Sequence, residues 1–278
     1  MEIFFNTLHA VIALIGIGTI GFLIISRKLI PSHIIGVITP LVIDIALPCL
    51  VFINIITKFQ PHTFTTSWWL LPLWWLGFTT IAFVLSFSLS FLSKKEFQRE
   101  FAMSAFYHNA MFLPIPILAG LYGPDTPLLS YLFIFTMFYP AFIFNTYNLF
   151  YSKKKNKTKN IKSIDWKKVF NPVLISTLIS IFIVLLNIQN SIPKFILTIT
   201  RMLGAMTIPL IILIVGGTIY IDFQKRGTIY INEILKFILV KNIIMPIIVL
   251  GLLLVIKPPK AISIILILQS CTPPVSAA

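Results

Sequence analysis

The sequence predicts an all-α polytopic membrane protein, and three observations lead to this fold class. Of the 278 residues, 58% are hydrophobic and only 11% are charged. The mean hydropathy is +0.96, which is above the range of soluble domains. Apolar runs of about 20 residues recur along the chain, and each is long enough to cross a bilayer core of about 30 Å.

Nine apolar runs reach the length of a membrane span. The first, Ile3 to Ile25, lacks a basic leader and a cleavage site, so we interpret it as a retained span. Cys49 and Cys271 both lie inside apolar runs, which argues against a disulfide framework. The predicted spans are 4–26, 33–56, 67–92, 101–121, 128–150, 169–187, 195–221, 231–256 and 261–278.

Most of the basic residues lie between the spans and indicate the orientation of the chain. Alternate loops carry 15 Lys and Arg on one side and 4 on the other, and 3 more fall within spans, which accounts for all 22. Because short cytoplasmic loops carry the positive charge, we expect a cell-membrane protein with its amino terminus outside and its central loop inside. The net charge of +14 therefore indicates a membrane environment and not a nucleic-acid partner.

A basic linker divides the chain into two halves. Residues 1–150 form a first five-helix repeat, 151–168 the cytoplasmic linker, and 169–278 a second, incomplete repeat. Five spans before the linker make the second half enter the membrane inverted. Ala46–Ile53 resembles Thr207–Ile214 at an offset of 161 residues, and Pro116 and Pro274 are 158 apart. The partner of the fifth span would then lie near residues 288–310, so we expect the tenth helix to be missing from this chain.

Two of the predicted spans contain closely spaced prolines. Pro114 and Pro116 should break the fourth span near Leu113, because proline removes a backbone donor and clashes with the preceding turn. Pro273 and Pro274 should break the ninth span in the same way. Backbone freed at this depth is tolerated only inside protein or along a polar cavity. Paired interruptions in corresponding positions of two halves indicate a transporter's substrate site.

The fourth span resembles the auxin efflux carriers and their bacterial relatives, which include malonate and other carboxylate permeases. The family pattern is roughly Asn-x-Gly-Phe-x-Gly-x-Pro. Asn109, Phe112 and Pro116 match it, whereas Met111 and Pro114 replace its glycines. The replacements should stiffen the break and narrow the site.

Three further segments carry the same resemblance across the visible chain. They are Asn171–Leu174, Ile208–Leu210 with Gly216 and Gly217, and Pro273 with Pro274. The resemblance implies ten spans in two inverted five-helix repeats, with the broken fourth and ninth helices crossing at the bilayer centre. It also implies an organic-anion substrate held at that crossing by Asn109, Phe112, Pro114, Pro116, Pro273 and Pro274. We also consider a homodimer as the assembly.

Four polar residues could carry chemistry inside the spans. A broken helix exposes N–H groups that can hold a carboxylate, and the Asn109 amide can add a donor or instead cap the break. His108 could take up a proton, or remain neutral and bonded to a carbonyl. Asp44 and Lys241 lie at similar depths, and we expect them to face the interior as a proton site or a static pair.

The sequence favours a secondary transporter of a small organic anion, such as a mono- or dicarboxylate, coupled to protons or sodium. The alternative is a non-transporting or truncated membrane protein. A membrane-embedded enzyme is disfavoured, because the sequence has no paired-histidine zinc motif, aspartate-rich motif or nucleophile elbow. We expect no cofactor and no metal.

Overall fold

The computed structural model of the chain describes residues 2–61, 68–151, 169–225 and 230–274. Within these ranges the regular structure is helical, and the β-type pairing is a single isolated bridge between His108 and Pro274. The protein is therefore an all-α polytopic membrane protein, as the sequence predicts. The predicted basic linker lies outside the described residues from position 152 to 168.

The α-helices of the described ranges are numbered here in chain order. They are α1 (Glu2–Ser26), α2 (Ile34–Leu41), α3 (Leu47–Lys58), α4 (Leu71–Leu89), α5 (Gln98–Phe106), α6 (Pro114–Tyr122), α7 (Pro127–Thr136), α8 (Tyr139–Tyr151), α9 (Pro172–Leu185), α10 (Lys194–Ala205), α11 (Thr207–Lys225), α12 (Ile231–Ile238), α13 (Met245–Ile256) and α14 (Lys260–Cys271).

Four continuous helical segments are long and apolar enough to cross a membrane, and they match the predicted second, third, seventh and eighth spans. They are Ile34–Lys58, Trp68–Leu92, Lys194–Lys225 and Ile231–Ile256. The predicted fifth span is divided, since α7 ends at Thr136 and α8 begins at Tyr139. Pro140 explains the interruption, because its ring clashes with the preceding turn and it has no N–H to donate.

Two of the spanning segments contain a short π-helical turn. The first turn, Val42–Ala46, joins α2 to α3, and the second, Leu239–Ile244, joins α12 to α13. Each is followed within two residues by a proline, Pro48 or Pro246. A proline ring clashes with the carbonyl four residues earlier, and the wider π turn makes room for it. Asp44 and Lys241 lie in these two turns.

A first bundle consists of α1, the segment from α2 to α3, α9, and the pair α10 and α11. Glycines allow its helices to approach very closely. A Cβ atom on Gly216 of α11 would collide with the backbone of Gly18 on α1, and a Cβ atom on Gly204 of α10 would collide with the backbone of Leu50 on α3. Small residues that bring backbones together are the usual source of helix association in membranes.

A second bundle is built from α4, α5, α7, α13 and α14. Its centre is α7, where Leu132, Phe133, Ile134 and Phe135 are fully buried. The two bundles meet where α6 packs against α1 and where α7 packs against α3. The second bundle therefore holds α5 of the fourth span and α14 of the ninth, and α6 connects it to the first bundle.

Candidate functional site

The helix of the fourth span is interrupted, the helix of the ninth span ends at Cys271, and the segments that follow α5 and α14 meet. Helix α5 ends at Phe106 and α6 begins at Pro114, whereas α14 ends at Cys271. Directly after α5 and α14 the backbone is extended at Tyr107 and Thr272, and His108 pairs with Pro274 in an antiparallel bridge. The N–H of Asn109 donates to the carbonyl of Pro273 at 2.8 Å. The predicted meeting of the two proline-containing breaks is thus confirmed.

The prolines of the fourth span have a different role from the one predicted. We expected them to break the helix near Leu113, but the first half already ends at Phe106, and Pro114 and Pro116 lie in the first turn of α6. Proline is well tolerated there, because the first N–H groups of a helix have no partner within it. The break starts earlier because the Asn109 N–H bonds across the crossing to Pro273.

Asn109 caps a turn inside the break, just before α6 begins. Its Oδ1 accepts a hydrogen bond from the backbone N–H of Phe112 at 2.9 Å. Its Nδ2 donates to no acceptor in the described ranges, and neither do the N–H groups of Ala110, Met111 and Leu113. The capping interpretation therefore holds, and an amide and three backbone donors remain near the positive end of the α6 dipole.

His108 is enclosed at the centre of the crossing, with only 2% of its surface exposed. Its ring makes edge contacts with Phe78, at a centroid distance of 5.3 Å, and lies 5.3 Å from the ring of Tyr139. Its Nδ1 lies 3.3 Å from the carbonyl oxygen of Phe106, and the Tyr139 hydroxyl donates to the backbone carbonyl of His108. Its Nε2 is buried without a hydrogen bond.

Gln269 of α14 belongs to the same site, and the sequence analysis missed it. Its side chain is fully buried, and Nε2 donates to the carbonyl of Ala110 at 2.9 Å, which ties the ninth span to the break in the fourth. The side chain also lies beside the His108 ring, although Oε1 has no hydrogen bond at ordinary distance. The available signal was a lone glutamine inside an apolar run, shortly before the second proline pair.

Lys241 approaches the crossing from the π turn of the eighth span. Its side chain is 2% exposed, and Nζ donates to the carbonyl of Ala105 at 3.2 Å. The ammonium also lies close to the His108 ring and to Cys271. Ala105 is in the last turn of α5 and Cys271 ends α14, so the lysine faces the negative ends of two helix dipoles.

Asp44 lies elsewhere, and the expected pairing with Lys241 is wrong. The Asp44 side chain is exposed on the surface of the first bundle, whereas Lys241 is buried in the second. In the described ranges, the lysine that forms an ion pair is Lys236, and its partner is Glu233. Matching depth along two spans did not bring the two groups together.

The remaining predicted site residues lie along the crossing. Phe112 is half-buried and packs against the core, and Pro114 and Pro116 are buried. Pro273 is exposed and Pro274 is half-buried. Within the described ranges, no group of three His, Cys, Asp or Glu residues lies close enough to hold a metal ion.

Residues 6–277 match the profile of a protein family described as membrane transport protein. A search among curated proteins found no match. The family match extends over both bundles and includes the whole crossing.

Proposed function

Because the chain belongs to the membrane transport protein family, the auxin efflux carrier-type transporters, we propose that it is a secondary transporter of a small organic anion, and not an enzyme. The observation that carries this proposal is the crossing itself, where the Asn109 N–H meets the Pro273 carbonyl at 2.8 Å. Two interrupted helices that meet inside a bundle expose polar backbone groups to a site within an otherwise apolar molecule.

An anion is the substrate charge that the crossing favours. The start of α6 presents the positive end of a helix dipole, and the N–H groups of Ala110, Met111 and Leu113 donate to no described acceptor. The free Asn109 amide adds a donor. A carboxylate accepts several hydrogen bonds at once, so mono- or dicarboxylates such as malonate and malate are the proposed class, as in the bacterial permeases of the family.

Lys241 supplies the positive charge of the proposed site. One of its three donors binds the Ala105 carbonyl, and the other two have no acceptor in the described ranges. The negative ends of α5 and α14 would repel an anion, and the ammonium that lies between them compensates for that repulsion. A buried charge inside a span is costly, which is why such residues usually have a function.

Coupling to a proton or to sodium supplies the driving force in this proposal. His108 is the proton candidate at the crossing, because its buried Nε2 has no hydrogen bond. Its ring belongs to the fourth span and lies beside Gln269 of the ninth. Asp44 is a candidate only for a role outside the crossing, since its side chain is exposed in the first bundle.

Movement of one bundle against the other would expose the site to the two sides in turn. The first bundle is held together by close backbone contacts at its glycines, and the second contains the crossing. Helix α6 packs against α1 and therefore lies at the surface where the bundles slide or rock. We propose that this occurs in the cell membrane, with the amino terminus outside, the central loop in the cytoplasm, and a homodimer as the assembly.

Uptake of radiolabelled malonate and malate into proteoliposomes tests the proposal. We expect Asn109→Ala to lower flux at least about tenfold, because loss of one donor to a charged group costs about 1.5–3 kcal/mol. Asn109→Asp keeps the oxygen that caps Phe112, so it should retain thermal stability and still lose flux, since its carboxylate repels the substrate.

Asn190→Ala is the matched control, because Asn190 is exposed in the turn between α9 and α10. Equal flux in the wild type and Asn109→Asp would show that Asn109 only caps the break. No uptake of either acid by the wild type would contradict the proposed substrate class.

A further inference from the structure

An apolar cleft runs along the second bundle between α4 and α13. It has a volume of about 410 Å³, and its lining is almost entirely hydrocarbon. One wall is formed by the stretch from Leu70 to Ile81 and the other by the stretch from Val249 to Ile256. Leu266 of α14 closes part of the floor. The substrate proposed above is a small anion, which this cleft has no polar group to bind.

The length of the cleft matches one leaflet of a membrane. From Leu70 to Ile81 the helical rise is about 16 Å, at about 1.5 Å per residue. Half of a hydrocarbon core is about 15 Å. The cleft begins at the helix ends near Leu70 and Ile256, where Trp68 and Trp69 lie. Tryptophan is enriched at this level of a bilayer, so the cleft extends from the interface towards the midplane.

The rim of the cleft is cationic. Ile256 lines the cleft and is followed directly by Lys257. Lys260 comes three residues later, and both lysines are exposed. A second copy docked on this face by the usual two-fold symmetry would bring its own Lys257 and Lys260 to the same rim. An anionic headgroup would instead be attracted to the two lysines. Charge therefore favours a lipid over a second copy as the occupant.

We propose that this cleft binds one anionic phospholipid, with an acyl chain between α4 and α13 and the phosphate at Lys257 and Lys260. The cleft also reaches the crossing, because Phe78 lines it and makes an edge contact with the His108 ring at 5.3 Å. An acyl chain in the cleft would hold Phe78 against His108. The bound lipid would thus stabilise the arrangement of the broken spans.

Gly77 allows the cleft to be filled without disturbing its walls. It lines the cleft, and a Cβ atom built on it would meet nothing within 4 Å. Gly251 is the matched control, because it lies on α13, is exposed, has the same open space, and does not line the cleft. We expect Gly77→Phe to occupy the space of the acyl chain and Gly251→Phe to leave it open.

The test is native mass spectrometry of the full chain in detergent, with equal amounts of phosphatidylglycerol and phosphatidylcholine. The wild type and Gly251→Phe should retain one phosphatidylglycerol, and Gly77→Phe should bind it at least about tenfold more weakly. Replacing Lys257 and Lys260 by Gln should lower the preference for phosphatidylglycerol by about fivefold per lysine, as expected for a lysine near an anionic headgroup.

Equal retention of phosphatidylglycerol by the wild type and Gly77→Phe would overturn the proposal. Equal retention of the two lipids by the wild type, or retention of free oleate in their place, would overturn the assignment of a phosphate at the rim. If Gly77→Phe fails to fold, quenching by brominated phosphatidylglycerol decides the matter. Trp74 lines the cleft, so the wild type should be quenched more than Trp74→Phe, and equal quenching would contradict the site.

Discussion

Replacing Lys241 by Met separates the cost of its charge from its function. Methionine keeps an unbranched side chain of similar length and removes the ammonium that donates to Ala105. A charged side chain inside a span costs about 2.5–3.5 kcal/mol. A hydrogen bond to a charged group returns about 1.5–3 kcal/mol. The difference predicts that Lys241→Met is as stable as the wild type, or more stable by up to about 2 kcal/mol.

Transport should change in the opposite direction. The ammonium lies 3.2 Å from the Ala105 carbonyl oxygen, and two paired backbone segments lie about 5 Å apart. A carboxylate on the far side of the crossing would therefore lie about 8 Å from the ammonium. At that distance two opposite unit charges attract by about 2 kcal/mol in an effective dielectric of about 20. The loss of this attraction corresponds to about a 30-fold weaker binding of the anion. The Lys241→Met protein should therefore show a raised KM for malonate or malate uptake.

The assay combines thermal unfolding with the concentration dependence of uptake into proteoliposomes. Lys194→Met is the control, because Lys194 is exposed at the start of α10 and lies in the first bundle. It should leave both the Tm and the KM unchanged. Wild-type uptake by Lys241→Met would refute the proposed role of the ammonium. A loss of more than about 2 kcal/mol in stability would show instead that the lysine is retained for folding.

Two further substitutions test the first bundle. Gly216→Ala should destabilise the protein by about 1–3 kcal/mol in thermal unfolding, because its Cβ atom would collide with the backbone of Gly18. Gly16 faces open space, so the control Gly16→Ala should be neutral or slightly stabilising. Equal Tm values for the two variants would contradict the close approach of the helices. Asp44→Asn should change the uptake rate by less than about twofold at each pH, because the exposed carboxylate forms no ion pair with Lys241. A loss of the pH dependence would restore Asp44 as a proton site.

The break in the fourth span illustrates what local chemistry can predict. Two prolines within three residues cannot lie in the middle of a straight helix, so an interruption near Leu113 followed from covalent structure alone. Its position did not. The prolines begin α6, and the interruption extends back to Tyr107 because the Asn109 N–H finds its acceptor on Pro273, far away in the sequence. A partner that distant leaves no trace in the local pattern.

The polar residues of the site show the same division. Asn109 was predicted from its place beside the break, and its capping bond to Phe112 is a local bond of three residues. Gln269 was missed, because a glutamine in an apolar span has no meaning until its acceptor, Ala110, is known. Asp44 and Lys241 were matched by depth, and depth did not determine whether they face each other.

The sequence by itself determined the apolar spans, the existence of the two interruptions and the presence of costly polar groups within them. These properties depend on length, hydropathy and proline geometry, which are local. The tertiary structure decided which polar groups meet. Successive residues of a helix point about 100° apart, so depth along a span does not determine the face on which a side chain lies. Helix packing places Lys241 against Ala105 and leaves Asp44 on the surface, and no count of residues along a span reveals it.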